Sequence, residues 1–167
     1  MPSYSWRCLL IKRNWVIVVI ISLCIFALVV ACWLSRMNSA EKYLLHNNDE
    51  AVEVLLQEEI DSDRIALFYL DGAGNIFCAI LKEHILGYEI LRISGKCSVS
   101  KPGPLCSYYY DEDEQLWIAW GLVTNNNVSA VVADGKEMSI KQAGAYTYRI
   151  CWLTGNGKTP ECFEEIP

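Results

Sequence analysis

Histidine is scarce in this chain, and its scarcity limits the chemistry available. Only His46 and His84 occur, and neither a Cys-x-x-Cys nor a His-x-x-x-His spacing is present. Zinc sites draw their ligands from closely spaced pairs of this kind. The sequence therefore predicts no zinc site, and we expect no bound metal or cofactor.

Two further recognition patterns are missing. Asp71-Gly72-Ala73-Gly74 begins like a phosphate-binding loop, but Phe77 stands where a third glycine is needed. The region after Leu34 contains 11 of the 14 basic residues and all 20 acidic residues, and it has no basic patch. That acidic region repels phosphate backbones. We therefore expect neither nucleotide nor nucleic-acid binding.

Charge is absent from Trp15 to Leu34, where Ser22 is the one conventional polar side chain. As a helix, this run would be about 30 Å long, which matches the hydrocarbon core of a bilayer. Trp15 and Trp33 stand near its ends, where indole rings favour the membrane interface. The run therefore predicts a transmembrane helix.

Basic residues set the orientation of this helix. Arg7, Lys12 and Arg13 precede it, whereas only Arg36 and Lys42 follow it closely. The flank with more positive charge stays in the cytoplasm. We therefore expect a single-pass signal anchor in the cell membrane, with the N-terminus cytoplasmic and the rest extracytoplasmic.

Two kinds of processing are alternatives to an uncleaved anchor. Val29-Val30-Ala31-Cys32 resembles a bacterial lipoprotein cleavage box, which would leave a lipid on Cys32. A signal peptidase could instead cut after Ala40. An uncleaved anchor is favoured, because the apolar run continues through Trp33 and is too long for a simple signal peptide. All three routes export the domain.

Five cysteines follow the anchor, and an oxidising compartment would permit disulfides. Cys97 and Cys106 bracket one loop rich in proline and glycine, and Cys151 and Cys162 bracket another. Closing either loop would stabilise the fold by about 2–3 kcal/mol. These pairs are the disulfide candidates, and Cys78 is then expected to be a buried thiol.

The exported part reads as a short helix followed by strands. Ser39 would cap a helix from Ala40 to about His46, and the glycines after Asp71 predict a hairpin turn. The first strand-like run also fits a helical period. We predict an α+β fold: an N-terminal transmembrane helix, a short helix, and a mostly antiparallel sheet of about seven or eight strands. The runs are Val52 to Glu58, Arg64 to Leu70, Asn75 to Lys82, Tyr88 to Ser94, Gln115 to Val123, Val128 to Ala133, Glu137 to Ile140 and Ala145 to Leu153.

An aromatic and acidic stretch is the candidate contact loop. Tyr108, Tyr109 and Tyr110 precede four consecutive carboxylates, and Trp117 and Trp120 follow. Such aromatic residues anchor protein contacts. Alternation along a strand places Trp117 and Trp120 on opposite faces, which also fits a packed sheet and favours core packing. The carboxylates lack the pattern of a calcium loop.

The order of these features resembles small membrane-anchored extracytoplasmic proteins of Gram-positive bacteria that have no assigned activity. The resemblance implies a bacterial envelope protein and a sheet hairpin formed by 118–124 and 128–136, while the cysteine pairs depart from it. The similar segments are Arg7 to Leu34, Ala40 to Leu44, Ile65 to Leu70, Ile85 to Tyr88 and Trp120 to Val123.

These observations predict four regions: a basic tail (1–14), the transmembrane helix (15–34), a linker with the short helix (35–50) and the β-rich domain (51–167). The leading hypothesis is a membrane-tethered, non-enzymatic interaction or sensory module with an envelope protein as its partner. The rival is an envelope enzyme that uses Cys78 with His84. Six residues separate that pair, and no third catalytic group is indicated.

Overall fold

The computed structural model describes residues 15, 17–31, 39–85, 87–98, 107–110 and 115–167. Residues 15 and 17–31 are helical and form the described part of helix α1. Within the described ranges, no helix has both the length and the apolar character that a membrane crossing requires. The predicted span from Trp15 to Leu34 extends beyond these ranges and stays a prediction.

Eleven strands follow a second helix in the described residues, and all of their pairings are antiparallel. This confirms the predicted α+β class with mostly antiparallel sheets. The elements are α2 (Ala40–Asn47), β1 (Ala51–Glu59), β2 (Arg64–Asp71), β3 (Asn75–His84), β4 (Gly87–Ser98), β5 (Ser107–Tyr110), β6 (Leu116–Val123), β7 (Ala130–Ala133), β8 (Lys136–Glu137), β9 (Ser139–Gln142), β10 (Arg149–Asn156) and β11 (Phe163–Ile166).

Helix α2 has the predicted N-terminal cap. The Ser39 hydroxyl accepts a hydrogen bond from the backbone N–H of Lys42 at 3.2 Å, which satisfies one donor that the first turn leaves open. Ala40 and Leu44 are one helical turn apart and are both buried. They pack against one face of the first sheet, so α2 covers that face.

The first sheet is a meander with the strand order β1-β2-β3-β4. Its β2–β3 turn is the predicted one: Gly74 has a φ of +79°, and the Asp71 carboxylate accepts hydrogen bonds from the backbone N–H groups of Ala73 and Asn75. Hydrogen bonds from Asn75 lower the pKa of Asp71. The turn therefore fixes the register in which Leu70 faces Ile76.

Both faces of the first sheet are buried. Along β2, Ile65, Leu67 and Tyr69 point towards α2, while Ala66 and Phe68 point to the opposite side. That opposite side packs against the second sheet, whose order is β5-β6-β10-β9. The main core therefore lies between these two sheets. It contains Leu55, Ala66, Phe68, Ile76, Cys78, Ile80, Cys97, Ile118, Trp120, Leu122, Ala143, Tyr148, Ile150 and Trp152.

Trp120 joins the two large sheets by packing and by a hydrogen bond. Its ring meets the edge of Phe68 at a centroid distance of 5.6 Å. Its indole Nε1–H donates to the Ser94 hydroxyl on β4 at 2.9 Å, and both residues are buried. A buried polar group needs such a partner, because leaving it unpaired costs about 1–3 kcal/mol.

A third sheet, ordered β11-β7-β8, covers the outer face of the second sheet. Its residues Val131 and Ala133 pack with Val123 and Cys151 of the second sheet. Asp134 links the third sheet to the segment before β11, since its carboxylate accepts hydrogen bonds from the backbone N–H groups of residues 161 and 162. The domain is therefore three layers of sheet with α2 on one side.

The hairpin expected between 118–124 and 128–136 is wrong, because β6 pairs with β5 and β10 while β7 pairs with β8 and β11. The set of strands also differs from the prediction in three places. Ser107–Tyr110 and Phe163–Ile166 form four-residue strands that were not predicted. The predicted strand from Glu137 to Ile140 is divided at Met138, whose side chain is buried in the third-sheet core. The count of seven or eight strands was therefore too low.

Gly155 is a test of the packing between β6 and β10. A Cβ atom at this position would lie 2.4 Å from Cζ2 of Trp117, whose side chain is buried. We expect Gly155→Ala to lower the free energy of unfolding by about 1–3 kcal/mol through overpacking. Urea denaturation measures this value. Gly72→Ala is the control, because the nearest atom would be 3.9 Å away. Equal stability of the two variants would contradict the packing described here.

Candidate functional site

The proposed catalytic pair, Cys78 and His84, is not brought together. Both lie on β3, but six residues of extended strand separate them by about 20 Å. Cys78 is fully buried in the main core, and burial raises the pKa of its thiol above the usual value. His84 is exposed and pairs with Glu89 at 3.1 Å. The geometry therefore forms no nucleophile and base from these two residues.

The predicted disulfide between Cys151 and Cys162 is wrong, because both residues are thiols. Cys151 faces the core between the second and third sheets, and burial raises its pKa to about 12. Cys162 lies on the surface beside Asp134. Strand β10 runs past Cys151 to Asn156, so half of the predicted short loop is strand.

Cys97 is disulfide-bonded and buried, as a member of the main core. Its predicted partner, Cys106, lies outside the described residues, so that pairing stays a prediction. Cys32, the candidate lipidation residue, also lies outside them. Of the predicted Cys97–Cys106 pair, the structure therefore describes Cys97 alone.

The two tryptophans of the candidate contact loop belong to the interior. Trp120 has no exposed surface and Trp117 is 3% exposed. They point to opposite faces of β6, as the alternation indicated, and each face is covered. Their inclusion in a contact surface is therefore corrected: neither side chain is available to a partner.

The three tyrosines of the same stretch form β5, the edge strand of the second sheet. Tyr108, Tyr109 and Tyr110 pair with Ala119, Ile118 and Trp117 of β6. The acidic residues 111–114 lie outside the described ranges. The structure thus places the backbone of the tyrosines beside a buried strand.

Two surface contacts, called the rim, join Glu58 and Glu53 of β1 to Lys141 of β9 and to Tyr146. The Lys141 ammonium pairs with the Glu58 carboxylate at 2.5 Å and lies 5.7 Å from the ring centre of Trp152. The Tyr146 hydroxyl donates to Glu53 at 2.8 Å. This hydrogen bond raises the pKa of Tyr146. The rim therefore links the first and second sheets at the surface, and its polar groups find their partners within the domain.

Sequence reasoning missed this rim. Lys141 and Glu58 are 83 positions apart, and Tyr146 and Glu53 are 93 positions apart. No local spacing links such residues, since they meet only when the two sheets stack. The available signal for these contacts was a charged side chain at alternate positions of a strand. Every strand with one face in water shows that pattern, so it does not identify the partners.

Tyr148 has an unusual environment behind the rim. Its ring stacks on Tyr146 at 5.2 Å, and its buried hydroxyl has no hydrogen-bond partner among the described residues. Burial raises the pKa of Tyr148 to about 12. The hydroxyl therefore stays protonated at physiological pH, and its side chain acts as part of the core.

A shallow depression with a volume of about 460 Å³ lies beside the third sheet. It is wide open and is lined by Ser129, Glu137, Met138, Ser139 and Ile140. Enzyme pockets enclose most of their ligand and bring several polar groups together. Among the described residues, no group of three histidine, cysteine or acidic side chains is placed to hold a metal ion. The depression alone therefore indicates no chemistry.

Comparison with protein-family models, with curated proteins and with solved structures finds no match to this chain.

Thiol labelling tests the burial of the cysteines. In the folded full-length chain, we expect a maleimide to modify Cys162 rapidly and to leave Cys78 and Cys151 unmodified. A buried thiol reacts only when the structure opens, and its raised pKa disfavours the reactive thiolate. Peptide mass mapping identifies the modified residues, and labelling in denaturant is the control. Rapid labelling of Cys78 in folded protein would contradict this arrangement.

Proposed function

We propose that this chain is a membrane-tethered interaction or sensory module, in which a single N-terminal helix holds a non-enzymatic, acidic β-domain outside the cell membrane. The observation that carries the proposal is the environment of α1. Every described side chain of this helix is exposed, including Leu23 at 62%, Phe26 at 68% and Leu28 at 65%. An apolar helix that packs on no part of its own domain requires another apolar environment, and a bilayer supplies one.

The charges along the chain support the orientation. Three basic residues precede Trp15, whereas only Arg36 and Lys42 follow Leu34 closely, and the more basic flank favours the cytoplasm. The disulfide at Cys97 also supports export, because disulfides persist in oxidising compartments and are rare in the cytoplasm. These two observations are independent, and both favour an extracytoplasmic domain.

The interior of the domain supports a role in contacts rather than in catalysis. The core between the first and second sheets is filled by side chains from both, and the thiol of Cys78 is one of them. His84, the rival's base, is exposed and is paired with Glu89. Functional groups of the described domain are therefore on its outer surfaces, where the exposed carboxylates of β1, β4 and β11 face the solvent.

Protease protection tests the topology. When protease is added outside intact cells, we expect loss of the domain and survival of a small fragment that contains the tail and the helix. A matched sample of opened cells should also lose the basic tail, because its Arg7 and Lys12 become accessible. Immunoblotting with a tag at each end measures both. A domain that survives outside treatment but is cut in opened cells would contradict the proposed orientation.

Substitution of the rival's residues separates the two functional classes. We expect Cys78→Ala and His84→Ala to support the cellular phenotype as well as the original chain does, because a contact surface uses neither side chain. Cys78→Ala should cost about 1 kcal/mol through the lost packing of its sulfur. The phenotype of a deletion strain complemented by each variant is scored beside the folded fraction. Loss of function in well-folded protein would favour the enzyme.

A further inference from the structure

The turn between β3 and β4 has an apolar residue at its tip. Ile85 is 103% exposed, so its side chain contacts nothing in the described structure. The turn joins the two longest strands, of 10 and 12 residues, and Gly87 follows it with a φ of +135°. Transfer of a fully hydrated isoleucine from water into an apolar environment is favourable, because it removes apolar surface from water.

The same end of the domain receives the chain from the anchor. Tyr43, early in α2, contacts Tyr88 beside the turn, with ring centres 6.1 Å apart. Asn48, just after α2, donates to the hydroxyl of Tyr69 near the opposite end of the sheet. Helix α2 therefore begins at the end of the sheet where Ile85 lies and runs away from it.

The connection from the anchor is short. The uncharged run ends at Leu34 and the cap of α2 is Ser39, so five residue steps join them. Fully extended, five steps reach at most about 18 Å. The end of the domain that carries both Ser39 and Ile85 is thus held close to the bilayer surface.

We propose that the β3–β4 turn is a second membrane contact, in which Ile85 enters the boundary between headgroups and acyl chains of the anchoring bilayer. This inference rests on the proposed membrane tether. The half-buried rings of Tyr43 and Tyr88 stand just behind the tip, where amphipathic aromatic residues suit the interface. The contact would fix the direction in which the acidic domain faces.

Charges near the tip define the kind of lipid surface. The Lys82 ammonium pairs with the Asp63 carboxylate at 3.3 Å, and the His84 ring lies 3.1 Å from the Glu89 carboxylate, so both side chains have acidic partners. Glu83 adds an exposed carboxylate. This arrangement has no excess of positive charge for anionic headgroups, and it fits a zwitterionic surface such as phosphatidylcholine.

Methyl spectroscopy of the full chain tests the contact. The protein is placed in phosphatidylcholine nanodiscs with labelled isoleucine methyl groups, and nitroxide-bearing lipids are added. We expect the Ile85 methyl signal to lose most of its intensity. Ile93 is the internal control, because it is 41% exposed on β4 but six residues from Gly87, about 20 Å along the strand. Its signal should persist.

The isoleucines of α1 separate this inference from the tether itself. If Ile17, Ile21 and Ile25 are broadened and Ile85 is no more affected than Ile93, the second contact is overturned while the tether stands. If the helix signals are not broadened either, the tether and the contact both fail. Equal broadening of Ile85 and Ile93 also overturns the contact, because the domain would then lie flat on the bilayer.

Paired variants give a second readout. In the Ile85→Asp variant, we expect nitroxide-bearing lipids no longer to reduce the methyl signal of Ile90, a half-buried neighbour on β4. A charged residue at the tip would leave the interface and take Ile90 away from the lipids. Val52→Asp is the matched control: Val52 is a branched side chain, 60% exposed, at the opposite end of the sheet. It should leave the Ile90 effect unchanged. Equal effects in both variants would overturn the proposal.

Discussion

The stacking of the first sheet on the second, with Trp120 between them, is the constraint on which the rest of the structure depends. Trp120 packs against Phe68 and donates its indole hydrogen to Ser94, so one side chain sets both the spacing and the alignment of the sheets. Once the sheets are aligned, β1 and β9 lie close enough for Glu58 to meet Lys141. The rim pairs are therefore consequences of the core. Surface ion pairs contribute little by themselves, whereas the buried apolar contacts dominate stability.

Burial on both faces explains why this sheet protein has few candidate sites in its interior. In the first sheet, one face is taken by α2 and the other by the second sheet; in the second sheet, the outer face is taken in part by the third. Thiols at Cys78 and Cys151 are consequently packing residues with raised pKa values. What the domain offers to other molecules is its outer surface, where exposed carboxylates of β1, β4 and β11 face the solvent.

Local signals were sufficient for much of the fold. The Ser39 cap, the glycine turn after Asp71 and the long apolar runs predicted α2 and most strands to within a few residues, because each depends on neighbours in sequence. The strand Phe163–Ile166 could not be predicted, since its pairing with β7 alone defines it. The expected Cys151–Cys162 disulfide failed for a related reason. Whether a strand residue such as Cys151 faces a core depends on which sheet packs against its strand. The alternation of Trp117 and Trp120 along their strand indicated that both pack in a core. No spacing in the sequence indicated which residues pair at the rim.

The order of the strands along the chain also bears on how the molecule assembles. The first sheet joins consecutive strands through short turns, so its contacts close small loops and can form quickly. In the second sheet, β6 must find β10 across the 25 residues that separate Val123 from Arg149, and β7, β8 and β9 all lie within that interval. A newly made chain can therefore complete the meander while Phe68 and Ile80 still face water. The period before the second sheet arrives is the time when association between copies competes most strongly with folding.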